Sequence, residues 1–299
     1  MKKIFSVLNY CKTIPNQKEY IMAHQWALSV SQDNVAKPAW MKRMAESVFQ
    51  HFEYSCGAFP ARKLSEERMA ALAPYMADKS INFTSLHLPF YWAEECPTQP
   101  LDFERRICAQ RLANCIEFFA PLGMKQMTLH AGKPAEGVSR ENAIENVRDV
   151  VKYLVPYAQK AGANINVEVC PRGSTGGVPE EMLAIMEGMP DCVGICFDVN
   201  HANQRYAEVP EWIAKLGKRI NTFHISDCDE FDECHWVPGV GVLDWKSIMR
   251  EINALDHDCL LIYEVSRDGF SAPAFENREA DPVWFIRHLE KNMEYLKSL

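Results

Sequence analysis

No apolar run in this chain approaches the ~20 residues needed to span a bilayer, so a membrane-spanning protein is not expected. There is no CxxC pair and no framework spacing among the 11 cysteines, an odd number that argues for free thiols in a reducing compartment rather than a disulfide scaffold. Clustered Lys and Arg are missing too. With a net charge of -8, a nucleic-acid surface is disfavoured, although a local basic groove could hide in an acidic total. The N-terminal run from Met1 is interrupted at Asn9, too early for a signal peptide, and reads as a first strand. Nothing resembles a linker or a low-complexity segment. What is present is a soluble composition, 47% hydrophobic, able to bury a large core, and expected in the cytoplasm.

Short β-like runs alternate with helical stretches along the whole chain. Strands are expected at Ile4–Asn9, Phe52–Cys56, Ile81–His87, Gln126–His130, Ile165–Val169, Val193–Phe197, Ile220–Phe223 and Cys259–Tyr263. Between the first two lies a long, weakly patterned helical region, broken near Pro38, with Trp40, Met44 and Val48 at helical spacing. Further helices are expected over Ser65–Asp78, from Asp102 with Ile107, Leu112, Ile116 and Phe119 on its face, and over Asn142–Ala161 with Gly162 as its stop. Others start at Pro179, Asp244 and Asp281-Pro282. Pro74 weakens the second half of its helix, and Pro156 should kink the 142–161 helix. Eight strands alternating with about eight helices imply an α/β chain, a (β/α)8 TIM barrel with a parallel closed sheet and outer helices, forming one domain over 1–299. An open doubly wound sheet would be expected to keep a glycine-rich turn after its first strand. The segment after Asn9 has no glycine.

The stretch from Val193 to Gly241 carries the chemistry. Two apolar runs end in bursts of acids and histidines: Asp198 with His201 after the first, then His224, Asp227, Asp232, Glu233 and His235 after the second. Ligand-type residues recur at other strand ends, with His87, His130, Glu168 and Glu264. In a barrel these ends converge on one mouth. Several carboxylates gathered there would be costly to bury without a cation. Mixed carboxylate and imidazole donors suit Mn, Co, Fe or Zn better than Ca. An isolated strand-end carboxylate is ordinarily paired with Arg or Lys, and a lone imidazole is ordinarily a hydrogen-bonded one; the register of the set is what favours a metal.

The segments SLHLP, TLHAG, VEVCP, FDVNHA, FHISD, ECHWVPGVG with VLDW, and LIYEVS resemble the xylose isomerase-like TIM-barrel superfamily, from about Ser80 to the C-terminus. That superfamily includes sugar and sugar-phosphate isomerases and epimerases, inosose dehydratases and AP endonucleases. The resemblance implies a divalent ion held by Glu168, Asp198, His224 and Glu264, with Glu168 and Glu264 moving a proton next to a metal-bound carbonyl. His87, His130, His201, Glu233 and His235 match substrate-contact or second-metal positions, with Asp232 as a stand-in for Glu233. The expected cofactor is thus Mn, Co, Zn or Mg, one ion, with donors for up to three. The reading is a metal-dependent isomerase or epimerase acting on a small-molecule carbohydrate (a sugar, sugar phosphate or polyol). Alternatives are an inosose-dehydratase-like lyase, a multi-zinc AP-endonuclease-type phosphodiesterase, and a barrel retained as a binding module. Few cations lie near the mouth: Lys133, Arg172, Arg205 and Arg267. That counts against the nuclease. Phe90, Tyr91, Trp92 and Trp236 could stack on a sugar face or pack the loops. Of Cys170, Cys196, Cys228 and Cys234, only Cys234 is a candidate soft ligand, and an incidental thiol is the simpler reading. Assembly as a homo-oligomer stays open.

Overall fold

The computed structural model describes residues 24–35, 37–57, 62–77, 79–90, 96–171, 173–265 and 282–299. Eight parallel strands close into a barrel in the order of the chain: β1 (Gln25–Ser31), β2 (His51–Ser55), β3 (Phe83–His87), β4 (Gln126–Leu129), β5 (Asn164–Glu168), β6 (Val193–Asp198), β7 (Ile220–Ile225) and β8 (Leu260–Tyr263). The helices are α1 (Gln32–Val35), α2 (Pro38–Ala45), α3 (Arg62–Ala77), α4 (Asp102–Phe119), α5 (Arg140–Ala161), α6 (Pro179–Met186), α7 (Val209–Leu216), α8 (Trp245–Asn253) and α9 (Pro282–Lys297). Among the described residues, no helix is long and apolar enough to cross a membrane.

The expected first strand, Ile4–Asn9, lies outside the described residues. The strand that closes the barrel is Gln25–Ser31, in the region read as helical. It pairs with β2 from Ala27↔His51 to Ser31↔Ser55, and with β8 from Gln25↔Leu260 to Leu28↔Tyr263. Two ready-made neighbouring edges stabilise an extended conformation that local pattern alone does not demand. Pro38 starts α2 instead of breaking a helix, at a position where its missing N–H costs nothing. Trp40 and Met44 are buried, but the helix ends at Ala45 and Val48 is exposed. In α4 the buried face is Cys108, Ala109, Leu112, Ala113, Ile116 and Phe119, and Ile107 points to solvent. Helix α3 runs through Pro74, and α5 through Pro156. The Ser139 hydroxyl caps α5, and Gly162 ends it with a left-handed φ of 58°.

The strand pleat sorts residues by chemistry. Leu28, Phe52, Tyr54, Leu86, Met127, Leu129, Ile165, Val167, Ile195, Phe197, Phe223 and Tyr263 join the large apolar core that includes buried helix residues. The alternating positions face the barrel axis, and most are polar: Glu53, Ser85, His87, Thr128, Asn166, Glu168, Asp198, Thr222 and His224, all buried. Ala27, Leu260 and Ile262 form a separate small apolar cluster. The axis is therefore a polar shaft that opens at the C-terminal ends of the strands.

Candidate metal centre

All nine ligand-type residues singled out above meet at that end of the barrel. Their donor atoms fall into overlapping groups, each with its atoms within 4.8 Å of one another: Glu168–Asp198–His224–Glu264, His87–His130–Glu168, His87–His224–Glu264 and His201–Glu233–His235. Cys170 joins Glu168 and His201 in a further group. The thiol that converges is thus Cys170 and not Cys234, whose Sγ donates to the Asp232 carbonyl at 3.3 Å. Glu233 takes the loop position, 3.3 Å from His201 Nε2, while the Asp232 carboxylate accepts from the Glu233 amide.

Glu168, at the end of β5, is the hub. Its Oε2 lies 2.8 Å from His130 Nε2 and 3.3 Å from His87 Nε2. Its Oε1 lies 3.2 Å from His224 Nδ1 and 3.4 Å from His201 Nδ1. His224, on β7, also places Nδ1 3.0 Å from Glu264 Oε2 and 3.9 Å from Asp198 Oδ2. Asp198 and His224 are register partners on adjacent strands, so their side chains leave the sheet side by side. His235 has a φ of 48°, in the left-handed region, which turns its ring back toward Glu264.

The histidines are oriented from behind. Because a carbonyl can only accept, the His87 Nδ1 facing Leu88 O at 3.0 Å and the His201 Nδ1 facing Val169 O at 2.9 Å carry protons. His87 then presents Nε2 to Glu168 and His201 presents Nε2 to Glu233. His224 uses the opposite edge, presenting Nδ1.

Charge crowding is visible in the protonation of the group. Burial drives the Asp198 carboxyl well above the carboxylate range, and the nearby Glu264 and Glu168 charges push it the same way. Burial would also raise Glu168, but His130 and His224 outweigh it and hold that carboxyl well below the usual range. Glu264 is likewise held low, burial being overcome by His224 and His235. Burial would lower His87, yet its hydrogen bond and charge contact with Glu168 push it up to about 9. His130 is lowered, mainly by burial. Of the three acids facing His224 Nδ1, Glu168 and Glu264 are held ionised by imidazoles and Asp198 is driven towards its neutral form, a crowding that a divalent cation would relieve. Asp198 Oδ2 fits the same conclusion, since it is buried and accepts no hydrogen bond.

In front of this cage lies a cavity of about 840 Å³, walled by His87, Phe90, Gln99, His130, Lys133 and Ser174. That volume is in the range of small-ligand sites. The Phe90 ring stacks on His130, with centroids 5.1 Å apart. Tyr91, Trp92, Arg172 and Arg267 lie outside the described residues. Arg205 is paired with Glu208 and sits over the Trp212 ring. Among the described residues, Lys133 is the cation on this cavity's wall.

Asp227 has a structural task. It is fully buried, and its carboxylate accepts from the amides of Cys228, Gly239 and Leu243 and from Trp245 Nε1, tying down the loop that carries Glu233 and His235. One buried acid escaped the sequence reading. Glu53, in the middle of β2, lies 3.3 Å from His224 Nε2. The available signal is a glutamate flanked by two aromatics, Phe52 and Tyr54, inside a strand.

A family model described as the xylose isomerase-like TIM barrel matches residues 41–292. The chain belongs to that family. Its fold is similar to that of a D-tagatose 3-epimerase-like protein, with a TM-score of 0.72 at 21% identity, covering 92% of this chain and 98% of the other. The 3-keto-D-glucoside 4-epimerase YcjR from E. coli matches with a TM-score of 0.69 at 16% identity, covering 92% of this chain and all of its own. In sequence, the uncharacterized protein MJ1311 of Methanocaldococcus jannaschii is 24% identical over 231 residues, 75% of this chain and 77% of that protein. Proteins with a similar fold thus include sugar epimerases, and the buried acids and imidazoles of this chain could bind a metal.

Proposed function

We propose that the chain is a divalent-metal-dependent isomerase or epimerase acting on a small carbohydrate. One observation carries the reading: two carboxylates from the ends of different strands, Glu168 and Glu264, lie 3.2 and 3.0 Å from the same ring nitrogen of His224 and line a cavity of about 840 Å³. Glu168, Asp198, His224 and Glu264 would hold the ion. When bound, it supplies Lewis-acid polarisation of a carbonyl and an adjacent hydroxyl. The protein's own work is then proton transfer. Glu168 and Glu264 are both held in the ionised form, so either can take a proton from the carbon beside the carbonyl. A sugar held between them would lose its proton to one carboxylate, and the other, after taking up a proton from water, would deliver it to the opposite face, which inverts that carbon. His130, held neutral mainly by burial and in contact with Glu168, provides a route by which the acquired proton leaves. Phe90 offers an apolar face to the ring and excludes water from that side.

The test is solvent exchange. The chain reconstituted with Mn²⁺ is incubated in D₂O with a panel of ketoses and their phosphates, and carbon-bound deuterium is followed by NMR. Exchange is expected for at least one ketose, and Glu168→Gln should slow it by about 100-fold or more while the variant stays folded. If no ketose exchanges while the metal stays bound, the reading passes to a dehydrating lyase or a non-catalytic binding module.

A second reading draws on the two further donor groups, His87–His130–Glu168 and His201–Glu233–His235. Together with the four-residue set they offer donors for three ions, as in a multi-zinc phosphodiesterase. Two or three zinc ions per chain together with cleavage of abasic duplex DNA would favour it over the sugar enzyme.

A further inference from the structure

Glu53 is a fully buried acid that belongs to none of the donor groups. Its neighbours on β2, Phe52 and Tyr54, pack into the outer core, which turns the glutamate toward the barrel axis. Ser85, its register partner on β3, donates its hydroxyl to Oε2 at 2.7 Å. His224 Nε2 lies 3.3 Å from Oε1 and 3.4 Å from Oε2. The opposite edge of that imidazole faces Glu264, Glu168 and Asp198 through Nδ1.

An ionised carboxylate only accepts hydrogen bonds. A neutral His224 facing Glu53 therefore carries its proton on Nε2 and keeps the Nδ1 lone pair for whatever sits among the three acids. His87 is oriented the other way, with the Leu88 carbonyl behind Nδ1 and Nε2 pointing at Glu168. His224 differs because the acceptor behind it is a carboxylate on a strand across the barrel. Rotating the ring would move Nδ1 off the acids and leave Glu53 buried without that partner, which is strongly disfavoured.

We infer that Glu53 is the positioning residue for His224: it fixes the ring's orientation and tautomer so that Nδ1 is the metal donor, and Ser85 holds Glu53 in turn. This rests on the reading of Glu168, Asp198, His224 and Glu264 as a cation site. A charged acceptor also makes the imidazole a stronger donor to the metal than a carbonyl would.

The test uses the full chain and two readouts apart from catalysis. Zn²⁺ is titrated calorimetrically into wild type and Glu53→Gln at one pH, and affinity should fall about 10- to 100-fold in the variant. In ¹⁵N-histidine spectra of the zinc-loaded wild type, His224 should show zinc on Nδ1 and a far-downfield proton on Nε2. In Glu53→Gln that proton should move upfield, a change that loss of packing alone would not produce. If Glu53→Gln does not fold, Ser85→Ala removes only the hydroxyl orienting Glu53, and should weaken zinc binding several-fold and shift the same proton. Unchanged affinity in the folded variants, or zinc on Nε2 of His224, would overturn the inference. A wild-type chain that takes up no divalent ion would instead remove the cation site on which it rests.

Discussion

Asp227 accepts three backbone amides and the Trp245 indole at 2.7 to 3.2 Å, and a Cβ on Gly241 would sit 2.4 Å from its Oδ1. Hydrogen bonds to a buried charge are individually strong, and their loss leaves the donors unpaired. Asp227→Ala is accordingly expected to cost about 3 kcal/mol or more, read as a lower urea midpoint of the metal-free chain. A change of less than about 1 kcal/mol would show that the loop is held by other contacts. Glu168 is a contrasting buried acid: its contacts are imidazoles that a cation could replace, so Glu168→Gln should harm exchange chemistry far more than folding. In the sequence the two look alike, each following an apolar run. What separates them is donor type, amide N–H against imidazole, and only the folded chain shows it. Glu53 was illegible for a related reason. Its importance comes from His224, 171 residues away, and nothing local to β2 announces that partner.

Strands β2 to β8 fall close to their expected positions because each is a compact apolar run bounded by turn residues. β1 does not, since Gln-Trp-Ala-Leu-Ser-Val-Ser is no more strand-like than the run at Ile4–Asn9, and its conformation is decided by the edges of β2 and β8. Helix starts at Pro179, Asp244 and Pro282 were legible, being fixed by backbone chemistry at one residue. The face of α4 was less so, with Ile107 on the solvent side of a stripe that a regular pattern would have buried. Barrel closure also sets local limits on size. A Cβ at Gly194 in β6 would lie 2.1 Å from the Asn221 amide and 2.9 Å from the Arg219 carbonyl. That amide donates to Asn166 Oδ1 at 2.8 Å, linking β7 to β5 across the shaft. Gly194→Ala should therefore destabilise the barrel by about 1–3 kcal/mol, measured by denaturant unfolding; a neutral outcome would mean that the Asn221–Asn166 bond yields freely.

For the whole molecule, the acid cage ties stability to pH and to metal in opposite senses. His87 is pushed from 6.5 to about 9. A raised histidine contributes stability that is complete below pH 6.5 and lost as pH rises through 9. Asp198, also raised, acts with the same sign from its own lower starting value. The melting temperature of the metal-free chain should thus fall between pH 6.5 and 9. Metal binding needs these donors deprotonated, so the increase in melting temperature from saturating Mn²⁺ should grow over the same interval. Thermal melts of chelator-stripped and Mn²⁺-loaded protein decide this, and an increment that shrinks with pH would count against the ligand set. The alternation of apolar runs and helices, and the acids and histidines at the run ends, were determined by the sequence itself, because backbone preference and side-chain chemistry are local properties. Which run closes the ring, which acids meet imidazoles and which meet amides, and which edge of His224 faces the cage were decided by the tertiary structure alone. Those depend on strands from distant parts of the chain meeting around one axis, at distances that no local pattern encodes.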